Sequence, residues 1–247
     1  MSQENNKRNC VRSGTLIVAV LIASLAFACD FFSGRGDTGK AAINQDIGSL
    51  LQKAAAATDE NEQAKLFGQA SLLLSQKGDY KRAVDAARKG RRANPMEVQS
   101  LATIGEYYIS QRKFAEAQTV LEEAIYADGK SARANYLLGN ALYAQKQTGR
   151  AQDQYAAALA LDPQYTDALY NLAALHASQG RASQALDLLE KAIALKPGFA
   201  EPYKNAGIAA EKSGNAKKAK EYYSKYIELN PAGDDVEAVE QWIAKLN

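Results

Sequence analysis

Few residues of this chain could do covalent or metal chemistry. The 247 residues include one histidine, His176, and two cysteines, Cys10 and Cys29. A structural zinc site takes four Cys or His ligands, and a catalytic Ser or Cys would have only His176 as its base. Carboxylates such as Glu106 are scattered and form no acid–base pair in the sequence. We therefore predict a protein that is not an enzyme and that binds no metal and no cofactor.

One stretch matches a phosphate-binding motif by spacing alone. Residues 34–40, GRGDTGK, fit the phosphate-loop pattern G-x-x-x-x-G-K. The motif needs Ser or Thr next to hold Mg²⁺, but Ala41 follows, and no strand pattern precedes it. The stretch also contains Arg35-Gly36-Asp37, an integrin-type tripeptide that is too short to indicate a function. We interpret residues 29–40 as a flexible tether.

The first 28 residues have the pattern of a targeting segment. Lys7, Arg8 and Arg12 precede an uncharged apolar run at residues 15–28, TLIVAVLIASLAFA. A helix that spans a bilayer needs about 20 apolar residues, so this run is short for an anchor and suits a signal peptide. Because the basic residues stay on the cytoplasmic side, we expect the rest of the chain outside the cytoplasm.

Cys29 directly follows this segment. Residues 25–29, LAFAC, resemble the lipobox of bacterial lipoproteins, which are cleaved before a cysteine whose thiol takes a diacylglycerol. Ala26 stands where Leu is usual, and Phe27 is bulky. Two alternatives stay open: cleavage without lipid, and an uncleaved anchor, which would place Asp30 in the apolar span. Asp30 after the cysteine resembles the inner-membrane retention signal of enteric lipoproteins and favours the inner over the outer membrane.

The overall charge is close to balanced. Lys and Arg number 30 and Asp and Glu 28, a formal net charge of +2, so no basic field favours nucleic acid. One local cluster is strongly basic, and it consists of Lys81, Arg82, Arg88, Lys89, Arg91 and Arg92. We name it the basic patch. It could contact anionic lipid headgroups or an acidic partner, and the alternative is an ordinary solvated helix face.

Several residue types recur with a period of 34. Pro95, Pro163, Pro197 and Pro231 are separated by 68, 34 and 34 residues. Gly129 stands where the series lacks a proline. Twelve positions before each of these five residues there is an alanine: Ala83, Ala117, Ala151, Ala185 and Ala219. Twenty-four positions before them the residue is always small: Ser71, Gly105, Gly139, Ala173 and Gly207. Positions that repeat in phase indicate stacked structural units.

This pattern resembles the tetratricopeptide repeat (TPR), a 34-residue pair of helices. Residues 134–163 follow it closely, with Leu138-Gly139, Ala151 and Tyr155 in place. The resemblance implies an all-α fold, an α-solenoid that forms a right-handed superhelix. Its five helix-turn-helix units are 64–97, 98–131, 132–165, 166–199 and 200–233. A lead helix is expected in 41–63 and a C-terminal capping helix in 234–247.

Glycines and an apolar stripe predict the turns and the C-terminal end. Gly78, Gly180 and Gly214 stand where the two helices of three units should turn. Trp242, with neighbours at helical spacing, should pack on the last unit, since a solenoid end needs a cover.

In the TPR family, the first helix of each unit lines a concave groove that binds peptides or partner helices. By resemblance, the groove residues of this chain are Tyr136, Asn140, Tyr143, Tyr170, Asn171 and Lys204. Tyrosine suits binding because it offers a large rigid area with a polar tip. Asn140, Asn171 and Lys204 also match three of the five positions of carboxylate-clamp TPR domains. Tyr136 and Ile208 replace two of the cations, so we expect a generic peptide or helix groove.

The chain as a whole resembles bacterial TPR-containing envelope lipoproteins. This resemblance implies a non-enzymatic, membrane-tethered scaffold or adaptor of the assembly-factor type, on the periplasmic face of the inner or outer membrane. Its partners would be envelope proteins, and no nucleic acid is expected in that compartment. The alternative is a periplasmic or surface protein that binds a small ligand or a glycan.

Overall fold

The computed structural model describes the backbone of residues 37–246 and the side chains of residues 46–246. The signal segment and Cys29 lie outside the described residues. Within residues 37–246 the chain forms twelve helices and no strand, which confirms the all-α fold class. Over the same residues, none of the helices has the length and apolar character needed to cross a bilayer.

The helices follow one another with short connections. α1 lies over Asp37–Ala56 and so begins within the residues that we interpreted as tether, with an acidic residue that suits a helix N-terminus. The others are α2 Glu60–Gln76, α3 Tyr80–Ala93, α4 Val98–Ser110, α5 Phe114–Ala127, α6 Ala132–Ala144, α7 Thr148–Leu161, α8 Thr166–Ser178, α9 Ala182–Leu195, α10 Ala200–Lys212, α11 Ala216–Leu229 and α12 Val236–Lys245.

The chain divides into two compact units. The first ends at Gln147 and the second begins at Thr148. This division falls inside the predicted repeat 132–165, between its helices α6 and α7. The number of repeats and their boundaries stay a prediction.

The turns between paired helices share one backbone conformation. Gly78, Gly180 and Gly214 have φ values of 77°, 77° and 78°, in the left-handed region that the predicted glycine turns require. Arg112 and Lys146 have φ values of 59° and 63°. These five residues follow one another at intervals of 34 positions. The same turn conformation therefore occurs even where the residue carries a side chain.

Side-chain caps fix the starts of several helices. The carboxylates of Asp59, Asp79 and Glu97 accept backbone N–H bonds of 2.8, 3.2 and 2.6 Å from the first turns of α2, α3 and α4. Ser131 does the same for α6 and Asn215 for α11, at 3.2 and 3.1 Å. Polar residues therefore set the start of these five helices locally.

The core of the first unit follows the periodic apolar positions. Ile47 of α1 packs with Phe67 and Leu74 of α2, so the lead helix covers the first pair. Between α4 and α5 the fit is close: a Cβ added at Gly105 would lie 2.5 Å from the Cγ atom of Leu121. The repeated small residue is needed because the paired helices approach closely.

The core of the second unit is rich in tyrosine. Tyr223 and Tyr226 of α11 are 0% and 1% exposed, and a Cβ added at Gly207 would lie 2.4 Å from the Tyr223 ring. Trp242 of α12 packs against Tyr223 with ring centroids 5.6 Å apart. The helix α12 thus packs on the last pair through its apolar stripe.

Candidate functional site

A series of polar side chains joins α2, α4 and α6, the first helices of three successive pairs. The hydroxyls of Ser71 and Thr103 are 3.1 Å apart, and Arg133 Nη1 donates to Thr103 Oγ1 at 3.2 Å. The other nitrogen, Nη2, donates to the Glu106 carboxylate, which also accepts from the Ser75 hydroxyl. We name these five residues the polar ladder. It holds three helices of the first unit side by side.

The polar ladder is buried at one end and reaches solvent at the other. Ser71 and Thr103 are 0% and 2% exposed, whereas the side chains of Arg133 and Glu106 are 16% and 27% exposed. Each buried hydroxyl has a partner, and the two charges neutralise each other. Only Arg133 and Glu106 therefore reach the surface, and they reach it as a pair without net charge.

In the sequence, Glu106 is one of several scattered carboxylates, and Arg133 is not among the predicted groove residues. The sequence nevertheless contains a sign of their ion pair. Glu106 is the ninth residue of the predicted repeat 98–131, and Arg133 is the second residue of the next repeat, 132–165. In TPR proteins these are groove positions by resemblance. Opposite charges at groove positions of adjacent repeats indicate a bridge between their first helices.

Three predicted groove residues lie on α6 of the first unit. Tyr136 and Tyr143 are half-buried, and a spacing of seven residues places them on one face of the helix. Burial raises the pKa of the Tyr143 phenol. Asn140, between them, is 5% exposed and interacts within the chain. The two tyrosines thus keep exposed surface for a partner, whereas Asn140 offers little.

The other three predicted groove residues lie in the second unit. Tyr170 of α8 is 4% exposed, and its hydroxyl accepts a 2.9 Å hydrogen bond from Asn205 Nδ2. Burial raises the pKa of Tyr170 to about 12. Asn171 is half-buried and also interacts within the chain. Tyr170 is therefore part of the core packing of this unit.

Lys204 is enclosed by acidic groups. Its Nζ lies 2.8 Å from Asp235 and 3.0 Å from Glu201, and 4.8 Å from the ring centroid of Tyr226. Burial alone would lower the pKa of Lys204, but the two carboxylates outweigh it and raise this pKa above its ordinary value. Because two anions already neutralise this cation, it cannot serve as an anion-capturing clamp residue.

The basic patch lies on α3. Arg82 pairs with Asp79 at 3.4 Å, and Arg91 with Glu123 of α5 at 2.8 Å. Arg88 and Arg92 are exposed, and neither has an ion-pair partner among the residues with described side chains. Lys81 and Lys89 are exposed as well, and Lys89 Nζ lies 5.6 Å from the Phe67 ring.

His176 is half-buried on α8. Burial and then the nearby Arg181 charge lower the pKa of His176, which favours the neutral ring. Its Nδ1 has no hydrogen-bond partner within the described residues. Across the same residues, no group of three or more His, Cys, Asp or Glu side chains could hold a metal ion.

Comparison with known proteins identifies the class. Three family models described as tetratricopeptide repeat match residues 172–244, 142–192 and 103–151. The crystal structure of MamA is 32% identical with a TM-score of 0.55, and the match covers 64% of this chain and 92% of MamA. The chain therefore belongs to the tetratricopeptide-repeat family. This fold is typical of non-enzymatic protein-interaction scaffolds and indicates a protein-binding adaptor.

Other solved structures share the fold at lower identity. YrrB, described as a TPR protein with an unusual peptide-binding site, is 23% identical with a TM-score of 0.58, covering 77% of this chain and 97% of YrrB. PilF of Pseudomonas aeruginosa is 19% identical with a TM-score of 0.61, covering 76% of this chain and 90% of PilF. Among curated proteins, none matches the chain.

Proposed function

We propose that this chain is a non-enzymatic adaptor of the bacterial cell envelope that is tethered to a membrane through Cys29. It binds a peptide or helix of a partner envelope protein on the face formed by α2, α4 and α6. The observation that supports this face is the polar ladder, which aligns three helices of a protein-interaction fold. The membrane tether is supported by the lipobox-like sequence.

The chemistry of this face favours a polypeptide. Tyr136 and Tyr143 add aromatic area next to a polar surface. Because Arg133 and Glu106 neutralise each other, the surface can donate to and accept from backbone amides without attracting a net charge. YrrB, which shares the fold, is described as having a peptide-binding site. A neutral segment with aromatic or apolar side chains fits this surface best.

A photo-crosslinking experiment tests the position of the binding face. A benzophenone amino acid replaces Tyr143 in one variant and Tyr126 of α5 in the other, and both are produced in living cells. Tyr126 is 86% exposed and belongs to the second helix of its pair, which makes it a matched aromatic control. We expect a defined adduct with an envelope protein from position 143 and none from position 126.

The crosslinking experiment has two contrary outcomes. Adducts from position 126 alone would show that the partner does not bind on the α6 face. Adducts of a small ligand or glycan, with no protein at either position, would support the ligand-binding alternative instead.

The tether is tested with the two cysteines. Cys29→Ser should abolish labelling by a clickable fatty acid and release the chain from membranes, whereas Cys10→Ser should change neither. Cys10 is the matched control because it precedes the proposed cleavage site. A cleaved but unlabelled parent chain would show simple secretion, and an uncleaved Cys29→Ser chain that stays in the membrane would show an anchor.

A further inference from the structure

An open cleft of about 390 Å³ lies in the first unit, and no residue of the polar ladder lines it. Its walls are Arg88, Arg91 and Arg92 of α3, Pro95 of the following turn, and Ile104 and Tyr108 of α4. The arginines come from the second helix of one pair, and the apolar residues from the first helix of the next pair and the turn before it. We name this the arginine cleft.

The charges around the arginine cleft are only partly compensated. Arg91 pairs with Glu123, with both side chains about 40% exposed, so this guanidinium is held in place at the rim. Arg88 and Arg92 have no ion-pair partner among the residues with described side chains. Asp85 is the only acidic residue within α3, which has six basic residues. Two guanidinium groups therefore remain available to an external anion.

The floor of the arginine cleft is apolar. Ile104 is 6% exposed, and Tyr108 is half-buried beside it. Guanidinium groups bind carboxylates through two parallel N–H bonds, which a lysine cannot offer in the same geometry. An apolar floor beside two such groups matches a ligand with an apolar side chain flanked by carboxylates.

We propose that the arginine cleft binds an acidic segment of a partner protein, in which Asp or Glu residues flank one apolar side chain. This contact goes beyond the proposed binding face on α2, α4 and α6 and does not depend on it. A segment of protein can place a side chain into a recess of this size. A membrane surface is flat and would contact the exposed Arg88 and Arg92 but not Ile104, which is 6% exposed.

A peptide selection tests the proposal even while the partner is unidentified. The full chain, purified in detergent, is presented to a displayed library of random peptides. We expect enrichment of peptides with acidic residues on both sides of a Leu, Ile, Phe or Tyr. A peptide from the selection is then synthesised with a fluorophore, and its affinity is measured by anisotropy.

Two variants with equal change of charge separate a specific site from general attraction. Arg88→Glu/Arg92→Glu should weaken binding of the selected peptide by at least about tenfold, because the carboxylates lose their partners. Lys65→Glu/Lys113→Glu alters two exposed lysines outside the cleft and should weaken it by no more than about twofold. Circular dichroism confirms that each variant is folded. Tyr143→Ala should leave this affinity unchanged, which separates the cleft from the α6 face.

Three results would overturn the proposal. One is a selection without acidic enrichment, and another is an equal loss of affinity in both charge variants. The third is binding to vesicles with anionic phosphatidylglycerol that is lost in Arg88→Glu/Arg92→Glu, while no acidic peptide binds. That third pattern would assign the arginines to the membrane surface.

Discussion

Two turn residues hold a conformation that their side chains disfavour. Arg112 and Lys146 have φ values of 59° and 63°, at the positions where the other repeats have glycine. A residue with a Cβ in this region costs about 1 kcal/mol relative to glycine. The turn forms nevertheless, because the helices on both sides fix its ends.

Arg112→Gly and Lys146→Gly should each raise the free energy of unfolding by about 0.5–1 kcal/mol. Urea unfolding followed by circular dichroism measures the change. Gln111→Gly is the control, because Gln111 has a φ of −85° and gains nothing from glycine. Destabilisation by Arg112→Gly as large as that by Gln111→Gly would show that strain at this turn is absent.

Among helices, the polar ladder should behave as one coupled group. Arg133→Ala and Glu106→Ala should each lower the stability of the first unit by about 2 kcal/mol, because each leaves a partly buried charge without its partner. The double variant should lose less than the sum, with a coupling of about 1–2 kcal/mol. Urea unfolding of the four proteins in a double-mutant cycle gives this value.

The exposed pair Lys225–Glu228 provides the comparison for this cycle. Its side chains are 39% and 66% exposed, so its coupling should stay below about 0.5 kcal/mol. Equal coupling in the two cycles would mean that the polar ladder is an ordinary surface ion pair.

The anchoring of α12 should depend on pH. Burial would raise the pKa of Asp235, but hydrogen bonds from Lys204 and Tyr226 outweigh it and hold this pKa below its usual value. A lowered carboxyl pKa stabilises the folded state above the unfolded pKa of about 4, and this contribution is lost as the pH falls below it. Trp242 of α12 is the only tryptophan, so its emission reports this helix.

We expect the Trp242 emission to shift to longer wavelength as the pH falls from about 5 to 2, since α12 then loosens from Tyr223. In Asp235→Asn the shift should already be present in part at pH 7 and depend less on pH. Asp234→Asn, one residue earlier and exposed, should behave like the parent chain. Identical titration curves of the parent chain and both variants would show that Asp235 does not anchor α12.

The helices could be predicted from the sequence, whereas most contacts between their side chains could not. Prolines, turn glycines and small residues act within one repeat, so their spacing revealed them. The hydrogen bond from Ser75 to Glu106 joins residues 31 positions apart, and that from Arg133 to Glu106 joins residues 27 apart. The repeat positions of Glu106 and Arg133 indicate the ion pair between them. The bond from Ser75 depends on which rotamers face each other, and a repeat pattern does not contain that information.

At the scale of the molecule, the resemblance of the 34-residue pattern to the TPR implied the fold class but not the division at Gln147. The pattern runs unchanged through the predicted repeat 132–165, so spacing offers no marker there. The pattern also assigned each predicted groove residue to a helix, but it did not show how deeply the side chain is buried. Lys204 and Tyr170 occupy groove positions, but Asp235 and Asn205 enclose them.

The second compact unit should respond to alkaline pH through its buried tyrosines. Burial raises the pKa of Tyr170 to about 12, and burial is also the largest cause of the raised phenol pKa values of Tyr222, Tyr223 and Tyr226. A phenol with a raised pKa stabilises the folded state below its unfolded value of about 10. That contribution is lost as the pH rises from about 10 through the folded pKa.

Ionisation and unfolding of the second unit should therefore coincide above about pH 11, because burial disfavours these phenolates in the folded state. Absorbance at 295 nm follows the phenolates, and Trp242 emission follows the unit itself. We expect a steep rise in absorbance at the pH where the emission shifts, and gradual ionisation of the same tyrosines in urea. If all tyrosines ionised gradually near pH 10 while the Trp242 emission stayed constant, the buried tyrosines would not limit alkaline stability. A Tyr222→Phe variant, which removes one raised phenol and its hydrogen bond to Glu190, should still show ionisation and unfolding together.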